Sequence, residues 1–179
     1  SVAIEAAVGF PCFVKANRSG SSYGISKVYT SDQIEAALEI AFKEDKEVII
    51  ESALMGREVS VGVIQYQGKT KILPITEILS ENDFFDYQAK YDEKSTEITT
   101  ADLEPELEDK IIAVATFIYN TLNLKGFTRS EFILVNNVPH LLEVNTTPGM
   151  TQHSILPQQA KEAGISLPEL FESALLAIL

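Results

Sequence analysis

The sequence predicts an α+β fold in which helices cover an antiparallel sheet. Two observations carry this prediction. Strand-like segments stand close together and are separated by turn signals such as Gly68 and Asn136-Asn137. Helical patterns come in blocks, so strands and helices do not alternate as they do in a parallel βαβ fold.

The strands are predicted from runs of β-branched and apolar residues. In residues 58–66, Val59, Val61 and Val63 alternate with Ser60 and Gly62, which predicts one partly polar face. Residues 79–103 show no clean period, which is typical of a functional segment. The remaining predicted strands are residues 10–16, 25–29, 47–52, 71–78, 127–135 and 140–145.

Four helices are predicted from capping residues and apolar stripes. Thr30 and Gln33 form a capping-box pattern before a helix that ends near Asp45. Residues 104–122 begin with proline and acidic residues and carry an apolar stripe. Two further helices close the chain: one ends at Gly164, and the other begins at residues 166–169 with a capping box and ends at residue 179.

Composition limits the classes of function. The chain has 179 residues, 45% of them hydrophobic, which is enough for a buried core. Its net charge of −12 argues against nucleic acid and anionic membranes as partners. Apolar runs are far shorter than the ~20 residues of a membrane span, and the first residues lack a basic leader region. A single cysteine, Cys12, excludes an internal disulfide framework, and we expect a cytoplasmic protein.

The negative charge is concentrated in one stretch. Between Glu77 and Asp109 there are twelve acidic residues and only two lysines. Such a run is typical of a solvated loop and helix face, and it is also suited to help hold cations.

The predicted hairpin carries Arg129, Glu131, Glu143 and Asn145. A two-residue turn at positions 136–137 would direct the two glutamates to opposite faces of the hairpin. A three-residue connection would pair Glu131 with Glu143 and Arg129 with Asn145, so that all four share one face. The apolar pattern favours the second register, because it gathers residues 132, 134, 142 and 144 on the other, core-facing side.

Two carboxylates and an amide oxygen at neighbouring positions repel one another unless a cation lies between them. Hard oxygen ligands suit Mg²⁺ or Mn²⁺, which commonly bridge to substrate phosphates. The alternative is a salt-bridged face in which Arg129 pairs with both Glu131 and Glu143.

Two loops are further candidates. Residues 19–24 are rich in small residues and follow a strand with Lys15 near its end, which suits phosphate binding but matches no Walker A spacing. An ordinary surface turn remains the alternative. Residues 84–91 place aromatic side chains and Lys90 in an acidic segment. Either these exposed aromatic side chains cover another part of the protein, or the loop packs its own aromatics on the core. Neither histidine, His140 nor His153, has a nucleophile signature around it, which argues against nucleophilic catalysis.

In this order, the features resemble the D-alanine–D-alanine ligases of the ATP-grasp superfamily. The most specific stretches are Glu143-Val-Asn-Thr-Thr-Pro-Gly-Met-Thr-Gln-His-Ser154 and Tyr87-Gln-Ala-Lys-Tyr91. The resemblance implies an ATP-grasp fold and a ligase that joins two D-alanines through a D-alanyl phosphate for peptidoglycan precursor synthesis. It also implies ATP and two Mg²⁺ or Mn²⁺ ions as cofactors, and a homodimer at full length.

The resemblance also implies a domain organisation. Residues 1–53 correspond to a truncated central subdomain and residues 54–179 to the C-terminal catalytic subdomain. The chain is expected to be a C-terminal fragment that is inactive alone. Two alternatives remain: another ATP-grasp carboxylate–amine ligase, using D-lactate or D-serine as second substrate, and a non-catalytic nucleotide-binding module.

Roles follow from the resemblance position by position. Glu131, Glu143 and Asn145 would hold the metal ions. Arg129 and the Gly149 backbone N–H would stabilise the tetrahedral intermediate. Ser154 would bind the second D-alanine's carboxylate, and Ser21 and Tyr91 would close over the second substrate site. The ATP-binding residues would be Lys15, Ser22, Glu51, Ser52, Ala53, Leu54, Glu58, Phe84, Lys90 and Leu142.

Two positions depart from the pattern of many relatives. Glu131 replaces an aspartate, and Phe85 replaces a tyrosine. We expect Glu131 to alter metal geometry without losing the metal. The retained Tyr91 favours D-alanine as second substrate, because relatives that use D-lactate tend to carry phenylalanine there.

Overall fold

The strands of this protein form two antiparallel sheets. The structure is a computed structural model that describes residues 2–20, 22–80 and 95–179. The chain divides into two units, residues 2–54 and residues 55–80 with 95–179. The predicted α+β class is confirmed. Within the described residues no helix is long and apolar enough to cross a membrane.

The first unit is a three-stranded sheet with the order β2-β1-β3. Its core forms where Ala37 and Ala41 of the second helix pack on Cys12, Val14 and neighbouring apolar side chains of the sheet. The elements are α1 (Val2–Val8), β1 (Cys12–Ala16), β2 (Ser26–Val28), α2 (Ile34–Glu44) and β3 (Val48–Ser52).

Two details of the first unit differ from the sequence prediction. Helix α1 was not predicted, because its exposed side chains leave little amphipathic pattern. The capping box at Thr30 is wrong: the Thr30 side chain caps nothing, and a 3₁₀ turn over Ser31–Gln33 precedes α2. Gln33 instead accepts a hydrogen bond from the Tyr29 backbone N–H at 2.8 Å.

The second unit is a six-stranded antiparallel sheet with three helices. The strand order is β7-β6-β4-β8-β9, and β5 also pairs with β4. The elements are β4 (Arg57–Tyr66), β5 (Lys69–Ile72), β6 (Thr76–Ser80), β7 (Ser95–Thr99), α3 (Pro105–Thr121), β8 (Phe127–Val135), β9 (Val138–Asn145), α4 (Ile155–Glu162) and α5 (Leu167–Leu176).

Strand β4 is the centre of the second unit and is buried on both faces. Val59, Val61 and Val63 pack with Ile111 and Ala115 of α3 on one face. On the other face, the far end of β4 packs at Ile64 against α4 and α5. The predicted polar positions of this strand are therefore buried as well, and their polar atoms need partners inside the protein.

The predicted strand 71–78 is wrong as a single element. It forms two strands, β5 and β6, on either side of Leu73-Pro74-Ile75, and both pair with β4. Because proline has no backbone N–H to donate to a sheet ladder, the strand is interrupted at Pro74. The aperiodic segment contains one strand that was not predicted, β7.

The β8–β9 hairpin combines the two alternatives considered for it. The connection is a two-residue turn, with Asn136 and Asn137 at positive φ and Val135 paired with Val138, so the three-residue connection is wrong. A bulge between positions 131 and 132 then restores the pairing of Glu131 with Glu143. The same bulge leaves Leu142 38% exposed, so its predicted core position is also wrong.

A partly buried ion pair, between the exposed Arg57 and the buried Glu77, connects strands of the second unit. Arg57 Nε and Nη2 donate to the two carboxylate oxygens of Glu77 at 2.7 and 2.8 Å, and Nη2 also donates to the Asp102 carbonyl. The guanidinium lowers the pKa of Glu77 below its ordinary value. The bidentate geometry links the beginning of β4 to β6.

Replacing Arg57 with methionine is expected to destabilise the second unit by roughly 1–3 kcal/mol at pH 7, because the Glu77 carboxylate loses its donors. The pKa of Glu77 is lower in the native state than its ordinary value of 4.5, so folding favours the ionised carboxylate. The ion pair therefore stabilises the fold above pH 4.5, and this stabilisation is lost as the pH falls from there through the lowered pKa. Urea unfolding at pH 7 and pH 4 measures both effects.

Lys110→Met is the matched control, because it breaks the exposed Lys110–Glu106 pair on α3. We expect a much smaller loss of stability for this variant. Equal losses for the two variants at pH 7, or an Arg57→Met loss that is the same at both pH values, would contradict the assignment.

Candidate active site

Four polar side chains gather on one face of the second sheet, as the sequence predicts. Ladder pairing places Arg129 opposite Asn145 and Glu131 opposite Glu143. On its other side, Glu131 pairs with Ser60 of β4. Residues directly opposite each other in a ladder share a face, so the five side chains form one polar cluster.

Glu131 is the buried member of this cluster, with 4% of its surface exposed. Its Oε1 accepts hydrogen bonds from Arg129 Nε at 2.6 Å and from Asn145 Nδ2 at 3.3 Å. Its Oε2 is buried and has no hydrogen-bond partner in the part of the chain that the structure describes. Burial raises the pKa of Glu131, and the positive charge of Arg129 opposes that rise. A buried carboxylate oxygen without a donor requires a cation, a water or a proton.

Glu143 lies at the exposed side of the cluster. Asn145 Nδ2 donates to Glu143 Oε1 at 3.1 Å as well as to Glu131, so the positive end of the amide dipole lies between two carboxylates. A cation would satisfy the same two oxygens more strongly, with Asn145 turned to offer its oxygen. The donor set of Glu131, Glu143 and Asn145 therefore fits a hard divalent ion.

The alternative interpretation of this face is correct for one pair. Arg129 makes an ion pair with Glu131, while Glu143 accepts a hydrogen bond from Asn145. No cluster of three or more acidic, histidine or cysteine side chains suited to a metal occurs among the described residues. A metal here would depend on two glutamates and the Asn145 amide.

A third carboxylate near the cluster was not predicted. Glu97 lies on β7, and its Oε2 accepts a hydrogen bond from Gln158 of α4 at 3.4 Å. Desolvation raises the pKa of Glu97, the charge of Arg129 opposes that rise, and Glu131 adds to it. The only sequence signal was its membership in the acidic stretch.

A buried amide connects α4 to the strands behind the cluster. Gln159 is fully buried, and its Nε2 donates to the Ser60 carbonyl at 2.9 Å and to Thr76 Oγ1 at 3.1 Å. A Cβ at Gly62 would lie 2.5 Å from Gln159 Oε1, so only glycine allows this close approach. Gln159 thereby fixes α4 against β4 and β6.

The loop before α4 presents the predicted substrate-binding residues. Ser154 Oγ accepts from the Thr151 N–H at 3.1 Å and lies 2.8 Å from Thr151 Oγ1. A Cβ added to Gly149 would lie 2.8 Å from Ser154 Oγ, so glycine keeps this approach open. The loop thus brings Gly149 and Ser154 together.

The predicted ATP-binding residues of the first unit lie on β1, on β3 and just after them. Lys15 Nζ and Glu51 Oε1 form an ion pair at 2.6 Å, so two of these residues contact each other. Ser52 Oγ donates to the Val8 carbonyl at 2.8 Å. The Ala53 N–H donates to the Pro11 carbonyl at 3.1 Å. The other two are Ser22, at φ 60°, and Leu54, which is 37% exposed.

Two more predicted ATP-binding residues belong to the second unit. Glu58 is half-buried on β4, and Leu142 is exposed at the β9 bulge. An exposed leucine beside a polar face is suited to contact a flat apolar ring. The predicted residues Ser21, Phe84, Lys90 and Tyr91, together with Phe85, lie outside the described residues.

Sequence reasoning missed four residues that contact or flank the predicted site. They are Ser60, Glu97, Thr151 and Gln159. Ser60 carried a usable signal, because it is a polar residue within an apolar strand. Thr151 lies inside the quoted motif, but its contact with Ser154 depends on the turn. Gln159 carried no signal, because an isolated glutamine on a helix is ordinarily exposed.

Comparison with known proteins identifies the family. Residues 1–176 match the family model described as D-ala D-ala ligase C-terminus. The chain is 59% identical over 168 residues to the D-alanine–D-alanine ligase of Flavobacterium johnsoniae, covering 94% of this chain and 52% of the relative. It is 56% identical to that of Christiangramia forsetii, covering 96% and 53%. The chain spans about half the length of the curated relatives that it matches.

Solved structures agree with this match. A D-alanine–D-alanine ligase from Bacillus anthracis complexed with ATP superposes with a TM-score of 0.79 at 31% identity, covering 94% of this chain and 52% of that one. The VanG D-Ala:D-Ser ligase from Enterococcus faecalis superposes with a TM-score of 0.84 at 33% identity, covering 99% and 52%. Motif order, site geometry and the match over nearly the whole chain agree: this chain belongs to the family of D-alanine–D-alanine ligase C-terminal domains.

Proposed function

We propose that this chain is the catalytic C-terminal half of an ATP-dependent D-alanine–D-alanine ligase. The observation that carries the proposal is the clustering of the buried Glu131 with Arg129, Glu143 and Asn145, in which Glu131 Oε2 has no hydrogen-bond partner among the described residues. A non-catalytic binding module has no need for two adjacent carboxylates that repel each other. Family membership adds the reaction: two D-alanines joined through D-alanyl phosphate, for peptidoglycan precursors.

The reaction needs positioning and charge stabilisation more than a side-chain nucleophile. A carboxylate oxygen of the first D-alanine attacks the γ-phosphate and ADP leaves. The amine of the second D-alanine then attacks the acyl carbon, the C–O bond to phosphate breaks, and a proton leaves the nitrogen. Arg129 and the Gly149 N–H are assigned to the oxygen that becomes negative during this attack. Ser154 is assigned to the carboxylate of the second D-alanine.

The metal ligands are proposed to be Glu131, Glu143 and Asn145. Bound Mg²⁺ or Mn²⁺, two ions in all, would neutralise negative charge on the transferring phosphate. The support for this assignment is the oxygen-rich donor set and the buried oxygen of Glu131. The longer side chain of glutamate at position 131 still offers two oxygens.

The ATP-binding residues are proposed from the family pattern. In the first unit, Lys15 is assigned to phosphate and the strand end at residues 51–54 to adenine. Release of Lys15 from its ion pair with Glu51 is then part of nucleotide binding. In the second unit, Glu58 is assigned to ribose and Leu142 to one face of adenine. The other assignments are Ser22, Lys90 and Phe84 for ATP, and Ser21 and Tyr91 for closing the second substrate site.

The wider context is proposed as well. Residues 1–53 correspond to the central ATP-grasp subdomain, and residues 54–179 to the C-terminal one. The ligase would act in the cytoplasm, where ATP is available, as a homodimer together with the N-terminal half that its relatives carry. This chain alone would be inactive.

A second candidate concerns the acceptor. The Enterococcus faecalis structure that matches this chain is a D-Ala:D-Ser ligase, so the shared fold accommodates more than one second substrate. D-lactate is another candidate. Tyr91 favours D-alanine.

Calorimetric titration with ATP tests the nucleotide and metal assignments on this chain. We expect ATP to bind more tightly with Mg²⁺ present, and Glu143→Gln to lower this Mg²⁺-dependent affinity by roughly tenfold or more, because one anionic ligand is lost. Glu172→Gln, an exposed carboxylate on α5, is the matched control and should bind as the parent does. Equal Mg²⁺ dependence in both variants would contradict the metal assignment.

Turnover tests the reaction in a completed ligase, in which this chain is joined to the N-terminal half of the Flavobacterium johnsoniae relative. We expect phosphate release that depends on D-alanine and yields D-alanyl-D-alanine, with D-serine and D-lactate as poorer acceptors. A folded chimera without phosphate release would refute the ligase proposal. Preference for D-serine or D-lactate would establish the second candidate instead.

A further inference from the structure

Ser154 occupies the N-cap position of α4, but its side chain does not cap the helix. A serine at this position ordinarily accepts a hydrogen bond from a backbone N–H of the first helical turn. Here Ser154 Oγ is directed to the preceding loop, where it contacts the Thr151 N–H at 3.1 Å and Thr151 Oγ1 at 2.8 Å. The Ser154 N–H in turn donates to the Thr151 carbonyl at 2.9 Å.

The two hydroxyls share one hydrogen bond, and either oxygen can be its donor. A serine hydroxyl has one hydrogen and two lone pairs. If Ser154 donates to Thr151, its hydrogen is used within the loop. If Thr151 donates, Ser154 accepts two hydrogen bonds, from the Thr151 N–H and Oγ1, and its own hydrogen is free to leave the loop.

A carboxylate can only accept hydrogen bonds. Ser154 can therefore hold an acceptor carboxylate only in the second arrangement, in which Thr151 is the donor. The result is a chain of two hydrogen bonds, in which Thr151 donates to Ser154 and Ser154 donates to the carboxylate. Each bond polarises the other in the same direction and strengthens it.

We propose that Thr151 is a positioning residue for the second substrate: its hydroxyl donates to Ser154 Oγ and so commits the Ser154 proton to the acceptor's carboxylate. This inference rests on the proposed function. It adds a selectivity element, because an acceptor that lacks a carboxylate gains nothing from the Thr151–Ser154 pair. Gly149 belongs to the same arrangement, because a Cβ at that position would lie 2.8 Å from Ser154 Oγ.

The test compares two acceptors in the completed ligase. D-Alanine attacks the acyl phosphate with its amine and carries a carboxylate. Hydroxylamine attacks the same carbon, displaces phosphate and gives D-alanine hydroxamate, but it has no carboxylate for Ser154 to bind. Thr151→Val keeps the shape of threonine and removes the hydroxyl.

We expect Thr151→Val to raise the KM of the acceptor D-alanine roughly tenfold, the effect of losing one hydrogen bond in a chain to a charged group. The KM for ATP and the rate of hydroxamate formation should stay within twofold of the parent. Thr151→Ser should restore the parent KM. Thr147→Val, the same substitution at an exposed position of the same loop, is the matched control and should not change it.

A double-mutant cycle separates positioning from a general effect on the loop. In a Ser154→Ala background, Thr151→Val should have no further effect on the acceptor KM, because Thr151 acts through the Ser154 hydroxyl. The same tenfold rise in that background, or an equal fall in hydroxamate formation, would overturn the inference. A folded parent chimera without ligase activity refutes the proposed function, whereas an active parent that is insensitive to Thr151→Val refutes this inference alone.

Discussion

The pairing of β8 with β9 is the constraint on which the polar cluster depends. Glu131 and Glu143 can meet only in a register that the two-residue turn by itself forbids, because side chains alternate faces along a strand. The bulge after Glu131 changes that alternation and brings Arg129, Asn145 and both glutamates to one face. Because of the bulge, Leu142 is not part of the core and lies exposed beside the cluster. One irregularity therefore produces both the proposed metal site and the proposed adenine contact.

The rest of the second unit keeps that face rigid. Burying a carboxylate is costly unless its partners are fixed, and Glu131 is buried with one oxygen that no group in the described ranges satisfies. Strand β4 is buried on both faces, so Ser60 and the ladder to Glu131 cannot shift without disturbing two cores. Gln159 adds a polar connection from α4 to the same strand, at the place where Gly62 leaves room for it. The helix that Ser154 begins is thus fixed to the sheet that carries the proposed metal ligands.

The site also shows how one sequence motif supplies residues of different kinds. Positions 143–145 end a strand, and the side chains of Glu143 and Asn145 face the cluster. Positions 149–154 form the loop into α4, where Thr151 and Ser154 contact each other. The strand part positions the Glu143 carboxylate, and the loop part orients the Ser154 hydroxyl.

The sequence by itself determined the α+β class, most of the strands and helices, and the family, because apolar periodicity and local motifs are read without knowledge of the fold. It also favoured a shared face for residues 129, 131, 143 and 145, although the three-residue connection behind that expectation is wrong. Only the tertiary structure decided how they meet, because a bulge adds one residue to one strand and leaves no local pattern. It also decided the break at Pro74, the strand β7, and the contacts of Thr151 and Gln159. These depend on partners that are distant in the chain or on the exact course of a turn, and neither leaves a periodic signal.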